Sequence, residues 1–336
     1  MTLEVWPHIS PEELQIKAAE SLVSCAVRHS LPAQLITQPS ALQDRELEWI
    51  VQETMTLCHE LKHGIEDCYA LLAPIEPGST LVMSTHRNEK VKGTITRVGT
   101  RLVKGTLSLQ LRTLPPQQLT ISPLEPIHIP PLDAIFTNLT QSIDLLGLLL
   151  DSKPAPTADN IASALAALAE CLAESAGLLK GSTSSEPDPA WQTASCPAHH
   201  FSPAMPPNLS FFMTLQESSV VLWLRALEPS DAPVHFGVKL GLAIGTVRRL
   251  EHDEMDTVFR YDPDGDGRCE PKRGLGGART SGKKDREENV FVREKVRIES
   301  ADPSLISLYS KLGFLSHMLG QARYNLAAVM GVELDS

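Results

Sequence analysis

Aromatic residues are scarce in this sequence, 5% of 336 residues, and its six cysteines include no C-x-x-C pair. The cysteines stand at 25, 58, 68, 171, 196 and 269. Cys58, Cys68 and Cys171 fall inside helical patterns, where cysteine behaves as a small hydrophobe. This usage reads as reduced thiols in a cytosolic chain. A basic surplus is missing too. Lys and Arg number 30 against 41 Asp and Glu, a net charge of −11, which excludes a general nucleic-acid binder and favours solubility. No apolar run is long enough to span a bilayer: the densest, "IDLLGLLL" at 143–150, is short and carries Asp144. The opening "MTLEVWPHISPEELQIK" has no basic stretch leading into an apolar one, so a signal peptide is not expected and the sequons at 138 and 208 carry no weight. Nucleophile elbows and dinucleotide fingerprints are absent.

What is present is an ordinary globular composition, 42% hydrophobic and 21% charged, long enough for one large domain or two modest ones. Four segments keep a helical period. The first runs from about 41 to 73, with Ser40 and Gln43 spelling a capping box and Pro74 ending it. Its apolar positions are Leu47, Ile50, Thr54, Leu57, Leu61, Ile65, Cys68 and Leu72. The second follows Pro130-Pro131 and places Leu132, Phe136, Leu139, Ile143, Leu146 and Leu150 on one face. The third, between Thr157 and Gly181, carries Ile161, Leu165, Leu168, Leu172, Ser175 and Leu179 on an alanine-rich background. The last opens with Asp302 as N-cap and Pro303 at the first helical position. Leu305, Leu308, Leu312, Leu315, Leu319, Ala322, Leu326 and Val329 then alternate steps of three and four, an a/d seam over more than three heptads.

Between the helices the period falls to two. "TLVMS" (80–84), "VKGTITRV" (91–98), "GTLSLQLRTL" (105–114), "QLTIS" (118–122), "NLSFFMTLQ" (208–216), "SVVLWLRAL" (219–227) and "VFVREKVRI" (290–298) read as short antiparallel strands. Residues 234–247 fit strand or helix equally. The expected class is α+β: a helical bundle of N-terminal, central and C-terminal helices (41–74, 131–181, 301–333) with an antiparallel β domain (78–125 and 200–299) inserted between them. Residues 1–39 form an N-terminal extension with at most one weak helix near 11–29. Residues 182–199 read as a linker and 262–289 as a disordered insert.

"HELKH" at 59–63 fits the H-E-x-x-H spelling of zinc proteases, in which two histidines and a general-base glutamate share a covered cleft. With Thr54, Leu57 and Leu61 on the seam, however, His59 and His63 fall on the outward face. Glu66 is one turn away on the same helix and Glu76 lies in a loop, so a third ligand is missing. The reading adopted is a solvated helix face. "DPDGDG" at 262–267 imitates an EF-hand start, but Arg273 stands where the bidentate glutamate belongs. "GARTSGKK" at 277–284 puts Lys284 where a phosphate loop needs Ser or Thr. Cys196 and His199 in "CPAHH" have metal-like spacing without a second pair in sequence. No catalytic, cofactor or metal residue is therefore expected. The seam is assigned to Leu47, Leu57, Leu61, Leu165, Leu172, Leu305, Leu308, Leu312, Leu315, Leu319 and Leu326. Lys90, Lys92, Arg97, Arg101, Lys104 and Arg112, unopposed by any acid within 90–112, form a candidate docking patch for an acidic partner. Solvent-facing residues guarding a sheet edge are the plainer alternative.

"KVKGTITRVGTRLVKGTLSLQL" (90–111) resembles a segment of the Rogdi leucine-zipper family. "FSPAMPPNLSFFMTLQESSVVLWLRALEP" (201–229) resembles the family's F-x-P-x-x-P segment and hairpin, and both "ELEWIVQETMTLCHEL" and the helix at 305–329 fit in the same order. The resemblance covers about 41–181 and 200–331; the extension and the insert have no counterpart in it. It implies a helical bundle of both chain ends with a separate β domain. Fungal members are the small subunit of the RAVE complex, the regulator of the vacuolar and endosomal proton ATPase. It therefore implies a non-enzymatic scaffold promoting reassembly of the V1 sector onto Vo, without cofactors. Implied partners are a large WD-repeat RAVE subunit, the V1 sector and a small ubiquitin-ligase adaptor. Implied location is the cytoplasm, with recruitment to vacuolar and endosomal membranes through those partners. The rivals are a zinc-dependent hydrolase using residues 59–63 and a homotypic coiled-coil adaptor pairing through 305–329.

Overall fold

The structure, a computed structural model, describes residues 39–72, 78–181, 189–230, 257–263 and 288–332. The expectations for 1–38, for 234–247, for the Walker-like tract and for most of the EF-hand-like loop lie outside the described residues. Met1–Trp49 and Ile50–Ser336 are separate compact units. Of the first, only the opening of one helix is described.

In chain order the elements are α1 (Pro39–Leu72), β1 (Ser79–Val82), β2 (Val91–Val98), β3 (Arg101–Leu109), β4 (Gln117–Thr120), β5 (Ile127–His128), α2 (Pro130–Leu150) and α3 (Ala158–Lys180). After these come α4 (Trp191–Ala194), β6 (Leu209–Gln216), β7 (Ser219–Pro229), β8 (Val258–Tyr261), β9 (Glu288–Ala301) and α5 (Pro303–Met330). The protein is α+β, and the described residues form two antiparallel sheets: β1-β2-β3-β4 with β5 also on β3, and β6-β7-β9-β8.

The four long helices form an up-down-up-down bundle. Tyr69 of α1 packs on Phe136 of α2, ring centroids 5.2 Å apart. Asn138 of α2 donates to Glu174 of α3. Gly64 of α1 faces α5 so closely that a Cβ there would meet Leu315 Cδ2 at 2.4 Å, and any side chain would force Leu315 to shift. One turn on, Lys311 pairs with Asp67 at 2.5 Å. Lys62 of α1 lies beside Gly147 of α2 while Tyr69 meets Phe136, and Gly64 meets Leu315 while Asp67 meets Lys311, so α1 runs antiparallel to both α2 and α5.

On α3 the buried stripe is Ile161, Leu165, Leu168, Leu172, Ser175 and Leu179, and on α5 it is Leu305, Leu308, Leu312, Leu315, Leu319, Ala322, Leu326 and Ala327. Val329 is exposed, because the last turn of α5 rotates Ala327 inward instead. By length and composition α3 could cross a membrane, yet its leucine stripe is spent on α2 and α5. Two phases differ from the periodicity. In α2 the deeply buried set is Leu132, Ile135, Leu139, Ser142, Leu146 and Leu149, one residue ahead of Phe136, Ile143 and Leu150. The helix is flanked on two sides, so its apolar stripe is wide, and Phe136 serves the α1 side rather than the centre. In α1 Leu57 is only half-buried and Cys58 takes the fully buried place; Leu61 is fully buried and Leu47 half-buried. Ser142 and Ser175 are tolerated in the centre because each hydroxyl donates to the carbonyl four residues back, Asn138 at 2.7 Å and Cys171 at 2.8 Å. The helix α1 starts at Pro39, which puts Ser40 inside the first turn rather than at the N-cap. Proline at the first position suits a helix start, since its missing N–H has no partner there anyway.

The bundle is capped by the second sheet. The β6–β7 turn has Glu217 and Ser218 both at positive φ, the geometry of a tight hairpin. Their backbone N–H groups donate to the carbonyls of Lys180 and Leu179, which would otherwise be orphaned at the end of α3. Gly181, at φ +68°, lies against the Leu215 carbonyl, where no side chain would fit. The stretch read as linker, 182–199, is described from 189 onward and is not a free connector there. Trp191 is fully buried among Phe212, Leu227, Tyr261, Val290 and Val292, and Asp262 N donates to the Gln192 carbonyl.

Candidate functional sites on the bundle and at the sheet junction

Arg97, which the sequence places in the candidate docking patch, is completely buried. Arg97 continues the inward-facing positions of β2, two residues after Ile95 and six after Val91, both buried. The register irregularity opposite the Thr96–Arg97 step lies in β3, where Val103 is the extra residue between Lys104 and Leu102. Arg97 Nε donates to Asp302 Oδ2 at 2.7 Å, with neither side chain exposed. The guanidinium also donates to the Leu72 carbonyl at 2.8 Å, to Ser304 Oγ at 2.7 Å and to the Gly99 carbonyl. Asp302 is the N-cap of α5, accepting from Ser304 N at 3.0 Å and Ser304 Oγ at 2.6 Å, and it accepts from Ser79 Oγ at 3.2 Å. One planar cation therefore joins the end of α1, strand β2 and the start of α5, and Ser79 adds β1 through Asp302. Burial by itself would raise the Asp302 carboxyl. The Arg97 hydrogen bond and charge, with the Ser304 hydrogen bonds, outweigh it and hold the carboxyl below its ordinary value.

Lys90 also leaves the patch as drawn. Its ammonium pairs with buried Glu294 of β9 at 2.9 Å, an acid about two hundred residues away in sequence. Glu294 Oε2 accepts from Arg112 N at 2.8 Å and Thr113 N at 3.3 Å. Glu294 thus ties the first sheet to the second from one buried carboxylate. Lys92, Arg101, Lys104 and the Arg112 side chain stay exposed. Lys92 faces Ser108 and Lys104 faces Thr96 across β2 and β3.

His59 and His63 lie on the solvent side of α1, and His63 is 79% exposed with its Nδ1 3.2 Å from Glu66 Oε2. Among the described residues no third donor converges on them. Cys58 and Cys68 line the bundle side of the same helix, where burial pushes their thiols up to about 11 and about 12. They are neutral fillers at physiological pH.

Opposite its seam, α5 shows solvent a run of large side chains. Ile306, Tyr309, Phe314 and Tyr324 are exposed, the last two by 62% and 69%. Periodicity did not single them out, because a seam search counts only the buried repeat.

A cleft of about 540 Å³ opens where the two sheets meet. Its walls come from the segment between β4 and β5 and from the short turn Ala198–His200 before β6. An isolated bridge between Ile121 and Phe201 holds these segments side by side, with Ser122 N donating to the His200 carbonyl and Ser202 N to the Thr120 carbonyl, both at 2.8 Å. Glu125, His199 and His200 gather at the rim, their ligating atoms all within 4.8 Å of one another. Sequence spacing had offered only Cys196 and His199; the carboxylate comes from 74 positions earlier, which no local motif shows. Cys196 is buried beside the cleft, where desolvation pushes its thiol strongly up.

No curated protein matches the chain. Residues 46–327 match the family described as Rogdi leucine zipper containing protein. That span includes the Arg97–Asp302 pair, the leucine stripe of α5 and both sheets; the chain belongs to the Rogdi leucine-zipper family.

Proposed function

We propose that this protein is a non-catalytic scaffold subunit of a RAVE-type complex, promoting reassembly of the V1 sector onto Vo in the vacuolar proton ATPase. The observation that carries the scaffold reading is the division of α5. Its leucines are consumed inside the chain's own bundle, while Ile306, Tyr309, Phe314 and Tyr324 are left facing solvent. A helix that spends its seam internally is free to present its other face to a partner, and exposed aromatic side chains are enriched at interfaces. The exposed cations Lys92, Arg101, Lys104 and Arg112 provide a second, electrostatic surface for an acidic partner, reduced from six residues to four. The complex, its large WD-repeat subunit, the V1 sector and the ubiquitin-ligase adaptor come from the family resemblance. So do the cytoplasmic location and recruitment to vacuolar and endosomal membranes.

The zinc-hydrolase reading loses support, since His59 and His63 point into solvent. The homotypic zipper also loses support, because pairing through Leu305–Leu326 would require the bundle to open.

Affinity purification of the tagged chain with mass spectrometry tests the proposal. Recovery of a propeller-containing protein together with V1 subunits is expected. Phe314→Ser with Tyr324→Ser should abolish it while leaving the melting temperature near that of the parent. Purification without either partner over a range of salt concentrations would overturn it.

A further inference from the structure

We propose that Glu125, His199 and His200 form a binding site for a divalent transition metal of the zinc class, placed across the junction of the two sheets. Three observations carry it. First, the donor chemistry fits: two imidazoles and one carboxylate suit zinc and its neighbours, and disfavour magnesium or calcium, which take oxygen shells. The donors already lie within 4.8 Å of each other. Tetrahedral zinc at its usual bond lengths needs nitrogen and oxygen ligands about 3.4 Å apart, and rotamer adjustment at exposed residues covers the difference. His199 Nε2 is 3.8 Å from Glu125 Oε2.

Second, His200 is oriented as metal-binding histidines are. Its Nδ1 lies 2.8 Å from the Glu125 backbone carbonyl. A carbonyl only accepts, so Nδ1 carries the proton and Nε2 keeps its lone pair for the ion. This is the arrangement that fixes tautomer and ring direction at metal sites. The two imidazole rings lie against each other, centroids 4.3 Å apart and tilted by 31°.

Third, the site is framed by backbone rather than left to loose side chains. The Ile121–Phe201 bridge and the two flanking hydrogen bonds fix the carboxylate's segment against the histidines' segment. Three protein donors leave at least one coordination position turned toward the cleft. Such a site would staple the two sheets and accept one further ligand, from solvent or a partner. It is independent of the scaffold reading.

The test uses the full chain carrying His59→Ala and His63→Ala, since two exposed histidines four apart on a helix would themselves bind zinc. After chelator treatment, zinc is titrated calorimetrically and the melting temperature is followed. One zinc per chain is expected, with a rise in melting temperature. His199→Ala and Glu125→Gln should weaken binding by about tenfold or more, the range seen even for lost supporting contacts. Both residues are more than half exposed, so the metal-free variants should melt like their parent. His128→Ala, on the same cleft but paired with Asp133 at 3.1 Å, should bind zinc normally, and calcium should give no shift. Absence of zinc-dependent heat in the parent would overturn the proposal. So would undiminished binding by His199→Ala and Glu125→Gln, or an equal shift with calcium.

Discussion

Replacing Arg97 with methionine keeps the unbranched stem about as far as Nε and removes the guanidinium, with its charge and every donor. Four acceptors lose a partner at once: Asp302, the Leu72 carbonyl, Ser304 and the Gly99 carbonyl. The dominant cost is Asp302, left charged in a place with no exposure. Breaking a buried pair from one side costs about 3–5 kcal/mol. That is a large share of the roughly 5–15 kcal/mol that holds a domain. At about 2–4 °C per kcal/mol for a domain of this size, the melting temperature should fall by about 6–20 °C. The assay is thermal and urea unfolding of the purified chain, with Arg101→Met as the exposed control, expected within about 0.5 kcal/mol of the parent. Asp302→Asn completes a double-variant cycle: it keeps a capping oxygen but removes the charge. If Arg97 acts through that charge, the two costs should fall short of additivity by more than about 1.4 kcal/mol, a factor of ten in the unfolding equilibrium constant at 25 °C. An Arg97→Met protein that melts with the parent, or strictly additive costs, would refute the reasoning.

Acid should expose the same pair. Asp302 has a folded pKa below its ordinary value of 3.8, so the unfolded chain binds more protons in the window beneath that value. Stability from this group is complete above about pH 4 and lost as pH falls through the folded pKa; Asp302→Asn should flatten that part of the stability–pH curve. Leu319→Asp forfeits about 1.5–3 kcal/mol of apolar burial and adds a buried charge, so loss of cooperative unfolding near the parent's melting temperature is expected, checked by circular dichroism. His59→Ala with His63→Ala should alter stability by no more than about 0.5 kcal/mol, measured by urea unfolding. Cys58 and Cys68, with thiols pushed up to about 11 and about 12, should react with a thiol reagent far more slowly in the folded chain than in urea.

The helix α3 was legible because alanine and polar residues fill most positions off its leucine stripe, and α5 because its leucines keep an unbroken three-four spacing, so the 3.6-residue period records the buried face of each. The phase of α2 was not. Phe136 and Ile135 are both apolar, and only the presence of α1 on one side and α3 on the other decides which of them goes to the centre. The strand β2 was read with the right bounds, and its alternation puts Arg97 on the inward face of Val91 and Ile95, but alternation names no partner for a charge buried there. A cation in that position reads as exposed unless an acid 205 positions away is known to meet it. The rim cluster was hidden for the same reason: His199 and His200 are adjacent in sequence, but Glu125 reaches them only through an isolated backbone bridge.

By itself the sequence determined the class, the order of helices and strands, the outward face of the 59–63 motif and the N-cap of the last helix. Each of these follows from local periodicity or local capping chemistry, which act over a few residues. Tertiary structure alone decided that Arg97 and Glu294 are internal ties and that one carboxylate joins two histidines at the sheet junction. It also decided which half of α5 faces solvent uncovered. Those outcomes depend on which distant segments share space, and a charged or polar side chain is exposed or buried according to its partner, not according to its neighbours in the chain.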